Sequence, residues 1–173
     1  MAHSLELLVD DATDAAVRRE WAALADTGLP SQARHRSPTN RPHVTVAVSD
    51  HIAADVDPLL ADVIGDLPLE CRLGAPVVFG RRSLTLARLV LPSVPLLGFH
   101  DHVSAICAPH QTPGPFPHSL PGRWTPHVTL CRRLAPTDLP AALAVIEAVE
   151  LVGVLDRLRR WDGDARVDTI LGA

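Results

Sequence analysis

The chain has 173 residues, a formal charge of −4 and a 47% hydrophobic fraction, which is enough for one domain with a real core and too apolar for a disordered chain. The negative charge argues against a general nucleic-acid coat protein while leaving room for a small, locally basic cleft. All 16 basic residues are arginine, so a lysine nucleophile, a Schiff base and a phosphate-loop lysine are excluded.

Residues Leu5, Leu7 and Val9 alternate with Glu6, Leu8 and Asp10, which predicts a first strand. Val17, Trp21 and Leu24 follow at helical spacing and place a helix near 12–27. Residues 28–42 form a long polar loop containing proline. A strand then opens at His43. Val56, Leu59, Leu60, Val63, Ile64 and Leu67 make an amphipathic stripe and predict a second helix. Residues 69–79 and 83–92 read as strands joined by Gly80-Arg81-Arg82.

The second half repeats this plan loosely. Leu96, Phe99, Val103 and Ile106 suit a helix starting near Pro95. A second long loop, 108–126, is rich in Pro and Gly and leads into a strand at His127. Thr137 is placed to N-cap a helix holding Leu139, Leu143 and Ile146. Two last strands fit 151–160 and 165–171. Several neighbouring strands lack a helix between them, so the expected class is α+β with two related lobes rather than a parallel α/β sheet.

Aromatic residues make up 3% of the chain and tyrosine is absent, so the core must rest on Leu, Val, Ile and Ala. Cys71, Cys107 and Cys131 are odd in number, widely spaced and form no C-x-x-C pair, and read as reduced core thiols. The first residues show no basic stretch followed by an apolar one, and no apolar run is long enough to span a bilayer. A soluble, cytoplasmic protein is the expectation. His100-x-His102 lies in a predicted helix, where i and i+2 do not face each other. No H-E-x-x-H spacing and no glycine-rich phosphate loop occurs, so no metal site, no cofactor and no nucleotide-triphosphate motor are expected.

The most informative feature is the tetrapeptide Pro-His-Val-Thr, present at 42–45 and again at 126–129. A strand shows residues i and i+2 on one face, so each copy sets an imidazole beside a hydroxyl. Both copies follow a long loop, and long loops in compact domains are often functional. Two imidazoles, His43 and His127, suit a reaction that removes one proton and delivers another. Thr45 and Thr129 can donate to phosphate oxygens and stabilise the charge of the transition state. Residues alone do not say which histidine is acid and which is base; His43 as acid and His127 as base is the preferred assignment.

Arg132 follows His127 by five residues, so strict alternation puts it on the opposite strand face unless a bulge turns it. Arg133, with the parity of His127, competes for the same role. Trp124 is placed either to stack on a base or to pack. Arg41, Arg36 and Arg123 are rim candidates for substrate binding.

Trp124-Thr125-Pro126-His127-Val128-Thr129-Leu130-Cys131-Arg132 resembles the W-x-P-H-x-T-L-x-R pattern of the 2H phosphoesterase superfamily, in its bacterial 2′-5′ RNA ligase-like branch. Arg41-Pro42-His43-Val44-Thr45-Val46 matches more loosely. The first strand, the helix after it and Gly28-Leu29-Pro30 are also similar. One departure is Val9-Asp10-Asp11, where many relatives end a more aromatic strand in proline. The resemblance implies two pseudo-symmetric lobes of antiparallel sheet with outer helices, the whole of 1–173 forming one bilobal domain with its active site in the cleft between the lobes. It implies a metal-independent 2′,3′-cyclic phosphodiesterase or 2′-5′ RNA ligase without a cofactor. Its partner would be a nucleotide or RNA end carrying a cyclic phosphate or 2′,5′ linkage, bound by a monomer away from any membrane. Two rivals are a catalytically silent nucleotide- or RNA-binding module and a metal-dependent hydrolase.

Overall fold

The computed structural model describes residues 2–172. The chain runs through β1 (His3–Val9), α1 (Asp11–Asp26), β2 (His43–Ser49), β3 (His51–Ile52), α2 (Ala61–Ile64), β4 (Leu69–Phe79) and β5 (Leu84–Val90). It continues through α3 (Val94–Cys107), β6 (Gln111–Thr112), β7 (His127–Leu134), α4 (Leu139–Ala144), β8 (Leu151–Asp162) and β9 (Val167–Leu171). Seven strands form one sheet in the order β2-β1-β8-β4-β5-β7, with β9 also on β8, and a two-stranded sheet joins β3 to β6. All pairings are antiparallel. The expected α+β class therefore holds.

The two lobes share a strand. The 12-residue β8 pairs with β4 through Leu151–Leu155 and with β1 through Leu155–Trp161, so Leu155 is in register with both Leu69 and Val9. The strand runs from one lobe into the other, and the edge strands β2 and β7 close toward each other. Because β1 lies between β2 and β8 with layers on both faces, it is buried along its whole length. Its alternation therefore does not mark a solvent face: Leu5 and Leu7 enter the core, while Glu6, also buried, has the other parity.

Asp10 caps α1, accepting from the amides of Ala12 and Thr13 and from the Thr13 hydroxyl, and it also accepts from the Val154 amide of β8. Gly153 makes that approach possible, since a Cβ there would collide with Thr13 Oγ1 and the Asp10 carboxylate. Val17, Trp21 and Leu24 face the core as their spacing predicts. Ser93 caps α3 through the Leu96 amide. The helices pack across the lobes: α1 reaches β7, and α3 lies against β2.

Two local expectations change. The stripe at 56–67 folds mainly as a 3-10 helix, Ala54–Leu60, before the single turn of α2. Pro58 contributes no amide donor within it. Thr137 caps nothing: it lies inside the 3-10 turn Pro136–Asp138, and α4 ends at Ala144, before Ile146. Cys71, Cys107 and Cys131 are buried free thiols. Among the described residues no helix is long and apolar enough to cross a membrane.

Candidate active site

Both His-x-Thr motifs lie on edge strands, and both use the same backbone device. His43, Val44 and Thr45 face Leu8, Leu7 and Glu6 across β1–β2; the register then slips by one residue, and Ala47 meets Leu5. His127, Val128 and Thr129 face Leu89, Arg88 and Ala87 across β5–β7; the register slips at the equivalent place, and Cys131 meets Leu86. Each strand thus carries one extra residue just after its threonine, a bulge that re-aims the side chains beyond it. Val44, Val46, Val128 and Leu130 are fully buried. Their burial holds each histidine and threonine on the other face by the period of two.

The bulge redirects Arg132. One extra residue restores the parity that strict alternation denies it, and Arg132 lines the cleft together with His43 and Thr45. A second slip between Cys131 and Leu134 leaves Arg133 at φ 60, and Arg133 lines the same cleft. Both competing arginines therefore reach it.

At each bulge an indole from elsewhere in the fold holds the threonine carbonyl. Trp124 Nε1 donates to Thr45 O at 2.9 Å, and Trp21 Nε1, from α1, donates to Thr129 O at 3.0 Å. The second motif's tryptophan thus secures the first motif, and a helix of the first lobe secures the second. Trp124 is further engaged by the buried His100 ring, stacked at 4.0 Å and 3°. His100 Nε2 in turn meets Ser119 O at 2.9 Å. Trp124 is built into the fold on both counts.

The histidines are anchored alike. His43 Nδ1 lies 2.6 Å from Arg41 O, and His127 Nδ1 lies 2.7 Å from Thr125 O. A carbonyl only accepts, so each Nδ1 carries a proton and donates it. Each Nε2 is left for proton transfer.

Their surroundings differ. The Glu6 carboxylate lies 3.6 Å from His43 Nε2. Glu6 is gripped by Arg159, with Nε–H donating at 2.8 Å, and by the Ser4 hydroxyl at 2.6 Å. Burial pushes the Glu6 carboxyl up, but the charges of His43 and Arg159 and the Ser4 and Arg159 hydrogen bonds outweigh it and hold it below its usual range. At the equivalent register position the second motif faces Ala87 instead. The His127 ring lies against Phe79, centroids 4.7 Å apart. Burial, then the charges of His43, Arg132 and His118, press the His127 imidazole below its ordinary value, against the opposing pull of Thr125 O. One ring meets a carboxylate; the other meets cations and an apolar wall.

A cleft of about 890 Å³ is lined by His43, Thr45, Arg132 and Arg133, and by Ser31, Gln32, Arg34, His35 and Asn40 of the first long loop. His127 and Thr129 do not line it directly; they adjoin it across the contact of β2 with β7. Trp124, Arg41, Arg36 and Arg123 are not among its lining residues either. Arg41 contributes its carbonyl to His43 rather than its guanidinium to the cleft. Sequence reasoning placed Arg34 and His35 in the loop that rims the site, and both line the cleft; it missed Glu6 and Arg159 as site neighbours. Glu6 looked like the solvent side of an alternating strand, and the register that sets it beside His43 is a tertiary fact.

The family model of the 2′-5′ RNA ligase superfamily matches residues 10–166. Among curated proteins none matches this sequence. Solved structures with a similar fold include Usb1 of Kluyveromyces marxianus with uridine monophosphate, at TM-score 0.53 and 14% identity, covering 98% of this chain and 97% of that one. LigT of E. coli complexed with 3′-AMP aligns at TM-score 0.53 and 14% identity, covering 98% of this chain and 92% of that one. A structure described as a phosphoesterase aligns at TM-score 0.53 and 16% identity over the same shares. With two His-x-Thr edge strands closing toward each other and a family match over nearly the whole length, the chain belongs to the 2′-5′ RNA ligase superfamily.

Proposed function

We propose that this protein is a metal-independent phosphoesterase of RNA-type phosphodiesters, and that it opens 2′,3′-cyclic phosphates. The observation that carries this reading is the matched pair of motifs. Two edge strands in contact with each other carry the same bulge, the same Nδ1 anchor and the same indole-held threonine, and the two imidazoles are near enough for the charge of His43 to act on His127. Nucleoside monophosphates bound to two neighbours of the same fold support a nucleotide or RNA end as ligand.

The asymmetry between the motifs supports one assignment of the roles. His127, whose environment disfavours its cation, takes the proton of a water through Nε2 as the water oxygen attacks phosphorus. The bond from phosphorus to one ribose oxygen breaks, and His43, beside a carboxylate, gives that oxygen a proton. The Thr45 and Thr129 hydroxyls and the Arg132 guanidinium meet the non-bridging oxygens as charge builds there. A terminal 5′-hydroxyl in place of water turns the same chemistry into ligation, and the reverse reaction exchanges the two histidines' roles.

A product assay on nucleoside 2′,3′-cyclic phosphates, ADP-ribose cyclic phosphate and 2′,5′-linked dinucleotides tests the reading. Turnover of a 2′,3′-cyclic phosphate, unchanged by EDTA, is the expected result. Tight binding without turnover would replace the enzyme with a binding module. Thr45→Val and Thr129→Val keep shape and remove one donor, so each lowers kcat by about 10²–10³-fold; near-normal rates in both would remove the hydroxyls from the mechanism.

A pH profile tests the base. The acid limb of kcat/KM reports the free enzyme's base, so it falls below the ordinary imidazole value of 6.5. Arg132→Ala removes one of the cations that depress His127 and moves that limb upward. A limb that stays in place or moves down contradicts the assignment of His127.

A further inference from the structure

A second cluster lies at the end of the sheet, and none of its three members is among the residues that line the cleft. His3 opens β1, His51 opens β3, and Asp164 sits in the turn between β8 and β9. His3, His51 and Asp164 each offer a ligand atom, all within 4.8 Å of one another. Their spacing in sequence shows no metal motif, because three separate segments supply them.

His3 is the informative member. It is only 2% exposed. Its Nε2 faces two carboxylate oxygens, Asp164 Oδ2 at 3.2 Å and Asp162 Oδ1 at 3.4 Å. Its Nδ1 is buried and has no hydrogen-bond partner among the described residues. Packing alone does not call for an imidazole here, since an apolar side chain would fill the space and leave no orphaned nitrogen. The His51 ring stands edge-on to it, centroids 4.7 Å apart at 60°. The turn is held in place independently, with Asp162 Oδ1 accepting from the amides of Asp164 and Ala165 at 2.9 Å each.

The distances suit one class of ligand. Metal bonds of about 2.0–2.1 Å in a tetrahedron put neighbouring donor atoms roughly 3.3 Å apart. The 3.2 Å between His3 Nε2 and Asp164 Oδ2 is close to that value, and the His51 ligand atom lies within 4.8 Å of both. His51 is exposed, so its ring is not locked by packing. Two imidazoles and a carboxylate select zinc-like transition metals over magnesium or calcium, which prefer all-oxygen shells.

We propose that His3, His51 and Asp164 form a binding site for one divalent transition metal, distinct from the phosphodiester site. The metal replaces the proton between His3 Nε2 and the carboxylate and ties the starts of β1 and β3 to the β8–β9 turn. It takes no part in the reaction, so the inference stands whether or not the phosphoesterase reading does.

Calorimetric titration of untagged, EDTA-treated protein with zinc chloride tests it, with cobalt(II) absorption as a reporter of tetrahedral geometry. One equivalent of zinc binds, and cobalt gives tetrahedral bands. His51→Ala and Asp164→Asn each weaken binding about tenfold or more, and His51→Ala leaves the Tm of the metal-free protein unchanged. A His43→Ala/His127→Ala variant binds as the parent does. No heat at about 100 μM zinc, undiminished binding in His51→Ala, or loss of binding in the His43→Ala/His127→Ala variant would overturn the proposal.

Discussion

Replacing His43 or His127 with alanine lowers kcat on a 2′,3′-cyclic phosphate by about 10²–10⁴-fold, the usual share of a positioned acid or base. The two losses do not multiply. Attack and departure are one event, and a site without its base gains little from its acid, so the double variant falls well short of the product of the single losses. Both single variants stay folded. Each ring is only partly buried, and its one hydrogen bond among the described residues is the Nδ1 contact to a nearby carbonyl of its own chain segment. Single-turnover rates with matched circular dichroism check this. A His127→Ala protein with near-normal turnover would show that the two motifs are not one site.

Arg88→Ala produces the largest loss of stability. Arg88 is 1% exposed and Glu20 3% exposed, and the pair forms a two-pronged ion pair between β5 and α1. Arg88 also donates to the carbonyls of Gly74 at 3.0 Å, Val149 at 3.1 Å and Glu147 at 2.6 Å. Truncating it leaves a buried carboxylate without its counter-charge and three carbonyls without this donor, a change that costs about 3–5 kcal/mol. Converting both partners to apolar residues, as in Glu20→Leu with Arg88→Met, recovers most of that loss, because it removes the stranded charge. Urea unfolding gives the answer as the change in midpoint. The consequence extends to the site. Arg88 pairs in register with Val128, and Glu20 precedes Trp21, whose indole holds Thr129 O.

Periodicity was a good guide wherever one element met one environment. The helix of Val17, Trp21 and Leu24, the hairpin around Gly80-Arg81-Arg82 and the strands opening at His43 and His127 all form where residue spacing puts them. It failed where proline or short-range geometry intervened, as in the 3-10 segment at Pro58 and the uncapped start of α4. Family resemblance, carried by about a dozen residues around the two motifs, anticipated the antiparallel α+β architecture that the family match and the structural neighbours support.

The sequence by itself determined the chemistry on offer: two imidazole–hydroxyl pairs, no lysine, and threonines fixed beside histidines by the strand period of two. Tertiary structure alone decided how those groups are used. Whether Arg132 faces the cleft depends on a one-residue bulge, and a bulge is a relation between two strands that neither strand's sequence contains. Glu6 reached His43 only because β1 was flanked on both sides, which buried its polar parity next to Arg159 instead of in water. The difference between the two histidines has the same origin. Their local sequences are nearly identical, and what separates them is what the fold sets beside each ring: the Glu6 carboxylate of β1 at His43, and at His127 burial with the charges of His43, of Arg132 turned by the bulge, and of His118.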